Sequence, residues 1–181
     1  FNAIFIDAIA EGLLDEEFFE RIRGFRPDII LIETATVSVY NYINYVRQLK
    51  SILPHCKIIM SGTHVSYFKE QFLKDYPCVD GIIIGEIEEA FLEIVKYFTK
   101  NKQFDGIQLK GFIYYNQHGE ITGISERTDL IDIDKLPYPE RLTLPIYNYE
   151  DLFAGMIFPS LQIHASRGCP FGCIYCVWPQ V

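Results

Sequence analysis

Asp28-Ile29-Ile30-Leu31-Ile32-Glu33-Thr34-Ala35-Thr36 is a short, β-branched apolar run that stops in small polar residues. That is the pattern of a strand covered on both faces and ending in a loop. The same pattern repeats toward the C-terminus. Ser38 can cap a helix whose stripe, Val39, Tyr42, Ile43, Val46, Leu49 and Leu53, keeps the three-and-four spacing of a helix lying on a sheet. Residues 57–60 give the next strand, ending at Ser61-Gly62-Thr63-His64, and the spacing predicts one helix after it with Val65, Phe68, Phe72 and Tyr76 inward. Residues 81–84 give another strand, ending at Gly85-Glu86, before a helix that buries Ile87, Phe91, Ile94, Val95 and Phe98. Toward the N-terminus, residues 2–9 read as a buried strand. A helix follows it, capped by Asp15 and closed by Gly24 and Pro27, with Phe18, Phe19, Ile22 and Phe25 on one face. Alternating β and α elements predict an α/β fold with a doubly wound parallel sheet.

From Gly106 onward the period changes to two. Residues 109–116 and 120–125 flank Gln117-His118-Gly119, which reads as a β-hairpin. Residues 132–145 carry Pro137, Pro139 and Pro145 among charges, the composition of a semi-extended tether. Residues 161–165 read as a further strand that delivers a cysteine-rich loop. The expected organisation is an α/β domain over 1–105, a hairpin and connector over 106–160, and the start of a further domain over 161–181.

The 181 residues are 49% hydrophobic and 15% aromatic, enough for a buried core. A net charge of −8 without any Lys/Arg-rich run argues against nucleic acid as a partner. No apolar stretch reaches the ~20 residues of a membrane span, and no signal-peptide pattern opens the chain, so a cytoplasmic location is expected. Cys56 and Cys78 stand apart from the other cysteines and read as buried small hydrophobes.

The other three cysteines lie in Arg167-Gly168-Cys169-Pro170-Phe171-Gly172-Cys173-Ile174-Tyr175-Cys176. Thiolates this close can meet at one metal centre if the backbone loops tightly. Three of them are one short of a closed tetrahedral zinc site or of an ordinary iron–sulfur cluster. The C-x3-C-x2-C spacing, with an aromatic before the third cysteine, resembles the signature of radical S-adenosylmethionine (SAM) enzymes. The resemblance implies that Cys169, Cys173 and Cys176 hold a [4Fe–4S] cluster whose open iron chelates SAM, with Tyr175 near the adenine. It also implies cleavage of SAM to a 5′-deoxyadenosyl radical, a reductant such as flavodoxin or ferredoxin, and a small-molecule substrate. Two other readings stand beside it: a zinc site completed by His164, and a chance group of core cysteines.

Ligands of open parallel sheets sit at the carboxyl ends of the strands, and here those ends are Thr34-Ala35-Thr36, Ser61-Gly62-Thr63-His64 and Gly85-Glu86. No G-x-G-x-x-G or Walker A loop is present, so an ordinary nucleotide site is not supported. The arrangement resembles the flavodoxin-like cobalamin-binding domain that precedes a radical SAM barrel. That implies a cobalamin cleft formed by Thr34, Thr36, Ser61, Gly62, His64, Gly85 and Glu86. In the family a Ser/Thr and, some 27 positions on, a glycine pair make room for the nucleotide tail. Thr34 and Ser61-Gly62 keep the separation, with Ser in place of one glycine. Gly85-Glu86 also reads as the acidic opening of a helix, and His164 as a core histidine. The layout resembles the anaerobic magnesium-protoporphyrin monomethyl ester oxidative cyclase group and the radical methyltransferases. The chain then reads as a fragment without a central N-terminal strand or most of the barrel, expected to rearrange its sheet or to self-associate through an exposed strand edge. A reading of a different class is a non-catalytic flavodoxin-like binding module whose cysteines bind zinc or are incidental.

Overall fold

The computed structural model of the chain describes residues 1–149, 163 and 166–176. They fall into two compact units: Phe1–Phe25 with the described part of Asp132–Arg167, and Arg26–Ile131 with the described part of Gly168–Val181. The further strand expected over 161–165, and His164, lie outside the described residues apart from Ile163.

The second unit is built on a five-stranded sheet of β1 (Ile29–Glu33), β2 (Lys57–Ser61), β3 (Gly81–Ile83), β4 (Phe112–Tyr115) and β5 (Ile121–Ile124), in the order β1-β2-β3-β4-β5. β1, β2 and β3 are parallel, whereas β4 and β5 add on antiparallel. The hairpin therefore extends the sheet. It continues the sheet past β3, while β1, a strand expected to lose its neighbour, stands at the opposite edge with no strand beyond it among the described residues, and the register is regular from β1 to β5. Gly119 closes the hairpin turn with a positive φ of 76°.

Between the parallel strands run α2 (Val39–Ile52) and the pair α3 (Thr63–Phe68) and α4 (Glu70–Asp75); α5 (Glu88–Asn101) follows β3. Right-handed crossovers between successive parallel neighbours place α2 and α3–α4 on one face. Val39, Ile43, Val46 and Leu49 of α2 are buried, as their spacing requires. On the opposite face Ala90, Ile94 and Phe98 of α5 pack with Ile59, Ile83, Phe104, Phe112 and Tyr114. Side chains alternate along β2, so Ile58 and Met60 point away from Ile59; all three are fully buried, which is what a strand covered on both faces demands.

Two expectations of local structure are corrected. The helix after β2 is not continuous: Lys69 sits at φ 49°, ψ −125° and separates α3 from α4. The break resets the helical phase, so Phe72 and Leu73 are buried while Phe68 turns outward, 43% exposed. Residues 2–9 form no strand. The Asp7 carboxylate accepts from Ala10 N (3.0 Å) and Leu13 N donates to Ala8 O (2.9 Å), which coils the chain into a turn. Phe1 and Phe5 remain exposed. An apolar β-branched run becomes a strand only beside a ladder partner, and the local Asx bond offers the backbone an alternative. In the same unit α1 (Asp15–Phe25) forms where its pattern predicts a helix, although Asp15 is its first residue rather than its cap and Gly24 lies inside it; Asp15, Glu16 and Glu17 stand at the positive end of its dipole.

Candidate functional site

The parallel register pairs Glu33 with Ser61 at the carboxyl ends of β1 and β2, and Thr34 N donates to Ser61 O at 2.9 Å beyond that pair. The two loops then leave the sheet in contact. Gly62 stands at φ 104°, ψ 177°, and a Cβ built on it would lie 2.1 Å from the Thr34 carbonyl oxygen. The sequence marks Gly62 as special, but the space a side chain would take belongs first to the chain's own backbone.

Thr34 is buried, and its hydroxyl donates to Ala35 O (3.2 Å) and lies 3.3 Å from Ser38 Oγ. Ser38 makes no side-chain bond to the first turn of α2. It serves the loop instead, its Oγ donating to Ala35 O at 3.2 Å. Ser61 is fully buried, and its Oγ has no hydrogen-bond partner among the described residues. A buried hydroxyl without a partner costs about 1–3 kcal/mol, so this strand end carries an unsatisfied polar group where the two loops meet.

His64 is fixed on two sides. Its Nδ1 lies 3.2 Å from Thr36 Oγ1, and its ring centroid is 4.6 Å from that of Phe68 and 5.9 Å from that of Phe72. Burial holds its pKa below the usual histidine value, so the ring is neutral at pH 7. Thr36, Thr63, His64, Tyr67 and Phe68 line one side of a cavity of about 350 Å³, and Ile174, Tyr175 and Cys176 of the cysteine loop line the other. Sequence reasoning missed Tyr67, which reads as a solvent-facing position for a helix with Val65 and Phe68 inward; the break at Lys69 makes its neighbour Phe68 a surface residue too.

Gly85 and Glu86 are engaged elsewhere. Gly85 N donates to Ser66 Oγ (3.2 Å), and Thr128 covers this strand end, its N donating to Ile84 O (2.9 Å) and its Oγ1 to Glu86 O (3.1 Å). A Cβ at Gly85 would meet Thr128 Oγ1 at 2.6 Å. The structure thus brings together Thr34, Thr36, Ser61, Gly62 and His64, with Tyr175 across the cavity, while Gly85 and Glu86 are tied to the segment after the hairpin. Nothing in the local pattern around Thr128 announces that role.

All five cysteines are free thiols. Cys169 is exposed and Cys173 and Cys176 are half-buried, with Cys176 N donating to Cys173 O at 3.1 Å. Among the described residues no three His, Cys, Asp or Glu side chains are placed to hold a metal ion. The donor set has the right chemistry for a thiolate-held metal, but the three thiols are not drawn to a common point. Cys56 is buried, and burial pushes its thiol up to about 11; the half-buried Cys78 thiol is raised for the same reason. At pH 8 a thiol-alkylating reagent is therefore expected to modify Cys169, Cys173 and Cys176 in the folded protein and to reach Cys56 only on unfolding. Peptide mass analysis reads the pattern, and labelling of Cys56 at the rate of Cys169 would contradict it.

A model of the family described as B12 binding domain matches residues 1–95. The chain is 29% identical over 171 residues to an uncharacterized methyltransferase of Pyrococcus horikoshii, covering 94% of this chain and 36% of that protein. It is 28% identical over 174 residues to the anaerobic magnesium-protoporphyrin IX monomethyl ester cyclase of Cereibacter sphaeroides, covering 95% and 28%. The chain spans about a third of the length of these curated relatives. Among solved structures, the cobalamin-dependent S-adenosylmethionine radical enzyme OxsB with aqua-cobalamin bound shares the fold, with a TM-score of 0.54 and 18% identity over 72% of this chain and 18% of that one. Among the described residues no helix is long and apolar enough to cross a membrane.

Proposed function

The chain belongs to the B12-binding domain family, and from that premise we propose that the cleft at the ends of β1 and β2 holds cobalamin for a radical SAM enzyme. The observation that carries the reading, beyond the family itself, is Ser61 Oγ, buried and without a partner where the two loops meet. Ser61 would donate to or accept from a polar group of the corrinoid, Thr36 and His64 would line its edge, and Thr34 with Gly62 would hold the two loops in place. A bound corrinoid supplies methyl transfer or assistance to redox steps. Cys169, Cys173 and Cys176 would ligate the [4Fe–4S] cluster that handles SAM, and Tyr175 would pack near its adenine. The longer enzyme would then act as a methyltransferase or an oxidative cyclase, the two activities carried in the names of its relatives. Their chemistry demands a reductant and a small-molecule substrate.

Ser61→Ala tests the cleft with two readouts of opposite sign. Removing an unsatisfied buried hydroxyl is expected to raise the stability of the ligand-free protein by about 1 kcal/mol and to weaken hydroxocobalamin binding by roughly five- to tenfold, one hydrogen bond's net worth. Visible spectra on titration with hydroxocobalamin measure the second effect and urea unfolding the first. Unchanged affinity with unchanged stability would remove Ser61 from the site, and a parent protein that leaves the hydroxocobalamin spectrum unaltered would remove the cobalamin reading. The unconverged thiols favour one second reading, a binding module without a cluster. Iron and sulfide analysis after anaerobic reconstitution separates the two.

A further inference from the structure

We propose that residues 126–131 form a releasable clasp, in which Thr128, seated between Gly85 and Gly111, pins the segment after the hairpin to the carboxyl end of β3 and lets go in one local step while the sheet stays folded. The clasp is built within the sheet unit and stands whether or not the cleft holds cobalamin.

Two bare glycines make the socket. A Cβ at Gly85 would lie 2.6 Å from Thr128 Oγ1, and a Cβ at Gly111 would lie 2.6 Å from Thr128 Cγ2 and 2.7 Å from Thr128 N. The hydroxyl therefore meets one glycine and the methyl group the other. Both glycines also hold a positive φ, 96° and 75°, so a side chain at either would be strained as well as obstructed. Hydrogen bonds fix the plug in the socket. Thr128 N donates to Ile84 O at 2.9 Å and its Oγ1 to Glu86 O at 3.1 Å, while Ile84 N donates to Gly111 O at 2.7 Å, so plug and socket share one strand end.

Around the plug the segment holds on by little else. Thr128 is 8% exposed, whereas Glu126, Arg127, Asp129 and Leu130 are all exposed. The remaining tie among the described residues is an ion pair of 3.1 Å between Lys110 Nζ and Asp129 Oδ1, with side chains 50% and 83% exposed. Water screens such a pair. Two hydrogen bonds, one buried methyl group and a screened ion pair are a small hold beside a strand, β3, that is buried throughout. Segments held in this way open well below the free energy of global unfolding. Opening bares Gly85 and the Ile84 and Glu86 carbonyls. It also releases residues 126–131 as extra leash ahead of the tether, roughly 20 Å of reach at ~3.3 Å per residue. One threonine thus sets both the cover over the end of β3 and the length of chain that is free to move after the hairpin.

Trypsin reads the clasp directly, because cleavage after Arg127 requires the backbone on both sides of that bond to leave the sheet. Lys135 is exposed and lies beyond the clasp, so cleavage there is an internal reference. In the whole chain under native conditions, Thr128→Ala is expected to raise the ratio of Arg127 to Lys135 cleavage by about tenfold or more, since it removes both the side-chain hydrogen bond and the methyl group. Thr128→Ser keeps the hydroxyl and should raise the ratio by about fourfold, the worth of one buried methyl group. Thr128→Val keeps the shape and should raise it by about fivefold, the worth of one hydrogen bond. Peptide mass analysis of the early digest gives the ratios. Hydrogen exchange on the same proteins separates a local clasp from a loosened sheet: the amides of residues 126–131 should speed up by the factors that proteolysis shows, while those of Ile43 and Val46, buried on α2, change by less than about twofold. Ratios within twofold of the parent in both Thr128→Ala and Thr128→Ser would overturn the proposal. So would an equal rise in exchange across α2 and the clasp, or a parent protein in which the Thr128 amide exchanges as slowly as those of Ile43 and Val46, because the segment would then be released only when the whole unit unfolds.

Discussion

Gly62→Ala is expected to destabilise the sheet unit by about 2–6 kcal/mol, before any ligand is considered. Two costs add. Gly62 holds φ 104° and ψ 177°, a region that only glycine occupies freely and that costs another residue roughly 1–3 kcal/mol. The new Cβ would also stand 2.1 Å from the Thr34 carbonyl oxygen. The obstacle is backbone rather than a flexible side chain, so the relief must come from prying apart the first residues beyond β1 and β2, an overpacking cost of about 1–3 kcal/mol more. The Thr34 N to Ser61 O bond, 2.9 Å, is the contact most directly strained. Urea unfolding with an unchanged m-value would measure the loss. A change below 1 kcal/mol would mean that the two loops separate easily and that the close approach is not what requires the glycine. The consequence for function is direct: bulk at Gly62 damages the fold that makes the cleft, so loss of ligand binding in such a variant says nothing by itself about the ligand's path. Ser61→Ala is the cleaner probe because its side chain only shrinks.

Much of the fold is legible in the sequence because short apolar β-branched runs alternating with three-and-four stripes leave little freedom. β1, β2 and β3 fall on those runs, and the buried residues of α2 are the ones its stripe names. The pattern is local, however, and fails where the deciding partner is distant. Residues 2–9 have the composition of a strand, yet they form none, and the Asp7 carboxylate opens a turn over residues 8–12 instead. The hairpin carries its own signals, but its docking against β3 depends on the pairs Gly81 with Tyr114 and Ile83 with Phe112, which no short-range rule specifies. Helix α3 ends at Lys69, an ordinary helix former held at φ 49°; that change of phase exposes Phe68 and places Tyr67 on the cavity. At the site, the sequence points to the strand-end loops and the cysteines. It cannot show that Thr128 closes over Gly85, or that Ser61 Oγ is left without a partner. Those facts depend on tertiary contacts.

Asp80→Ala is the second large effect expected, about 2–4 kcal/mol, and it arises at the opposite end of the strands from the cleft. Asp80 joins three elements. Its Oδ2 accepts from Ile58 N at 2.7 Å and forms an ion pair with Lys50 of α2, while Oδ1 lies 3.2 Å from Lys57 Nζ. Its backbone joins β2 to β4, with Asp80 N donating to Ile58 O and Tyr115 N to Asp80 O, both at 2.9 Å. The carboxylate side chain is only 15% exposed and that of Lys50 22%. Truncation therefore leaves a backbone donor without its acceptor, about 1–3 kcal/mol, beside two ammonium groups that have lost their counter-charge. The half-exposed Lys57 can return to water, which keeps the total below the 3–5 kcal/mol typical of breaking a fully buried pair. Asp80→Asn should cost about half as much, since an amide oxygen can still accept from Ile58 N. Salt gives an independent check. Raising ionic strength to about 1 M should weaken the exposed Lys110–Asp129 pair and leave most of the Asp80 contribution intact, because screening acts on charges that water reaches. Urea unfolding of the parent and both variants at low and high salt separates these contributions. If Asp80→Ala cost less than 1 kcal/mol, or Asp80→Asn cost as much as Asp80→Ala, the backbone acceptor would not be the main source of the stabilisation.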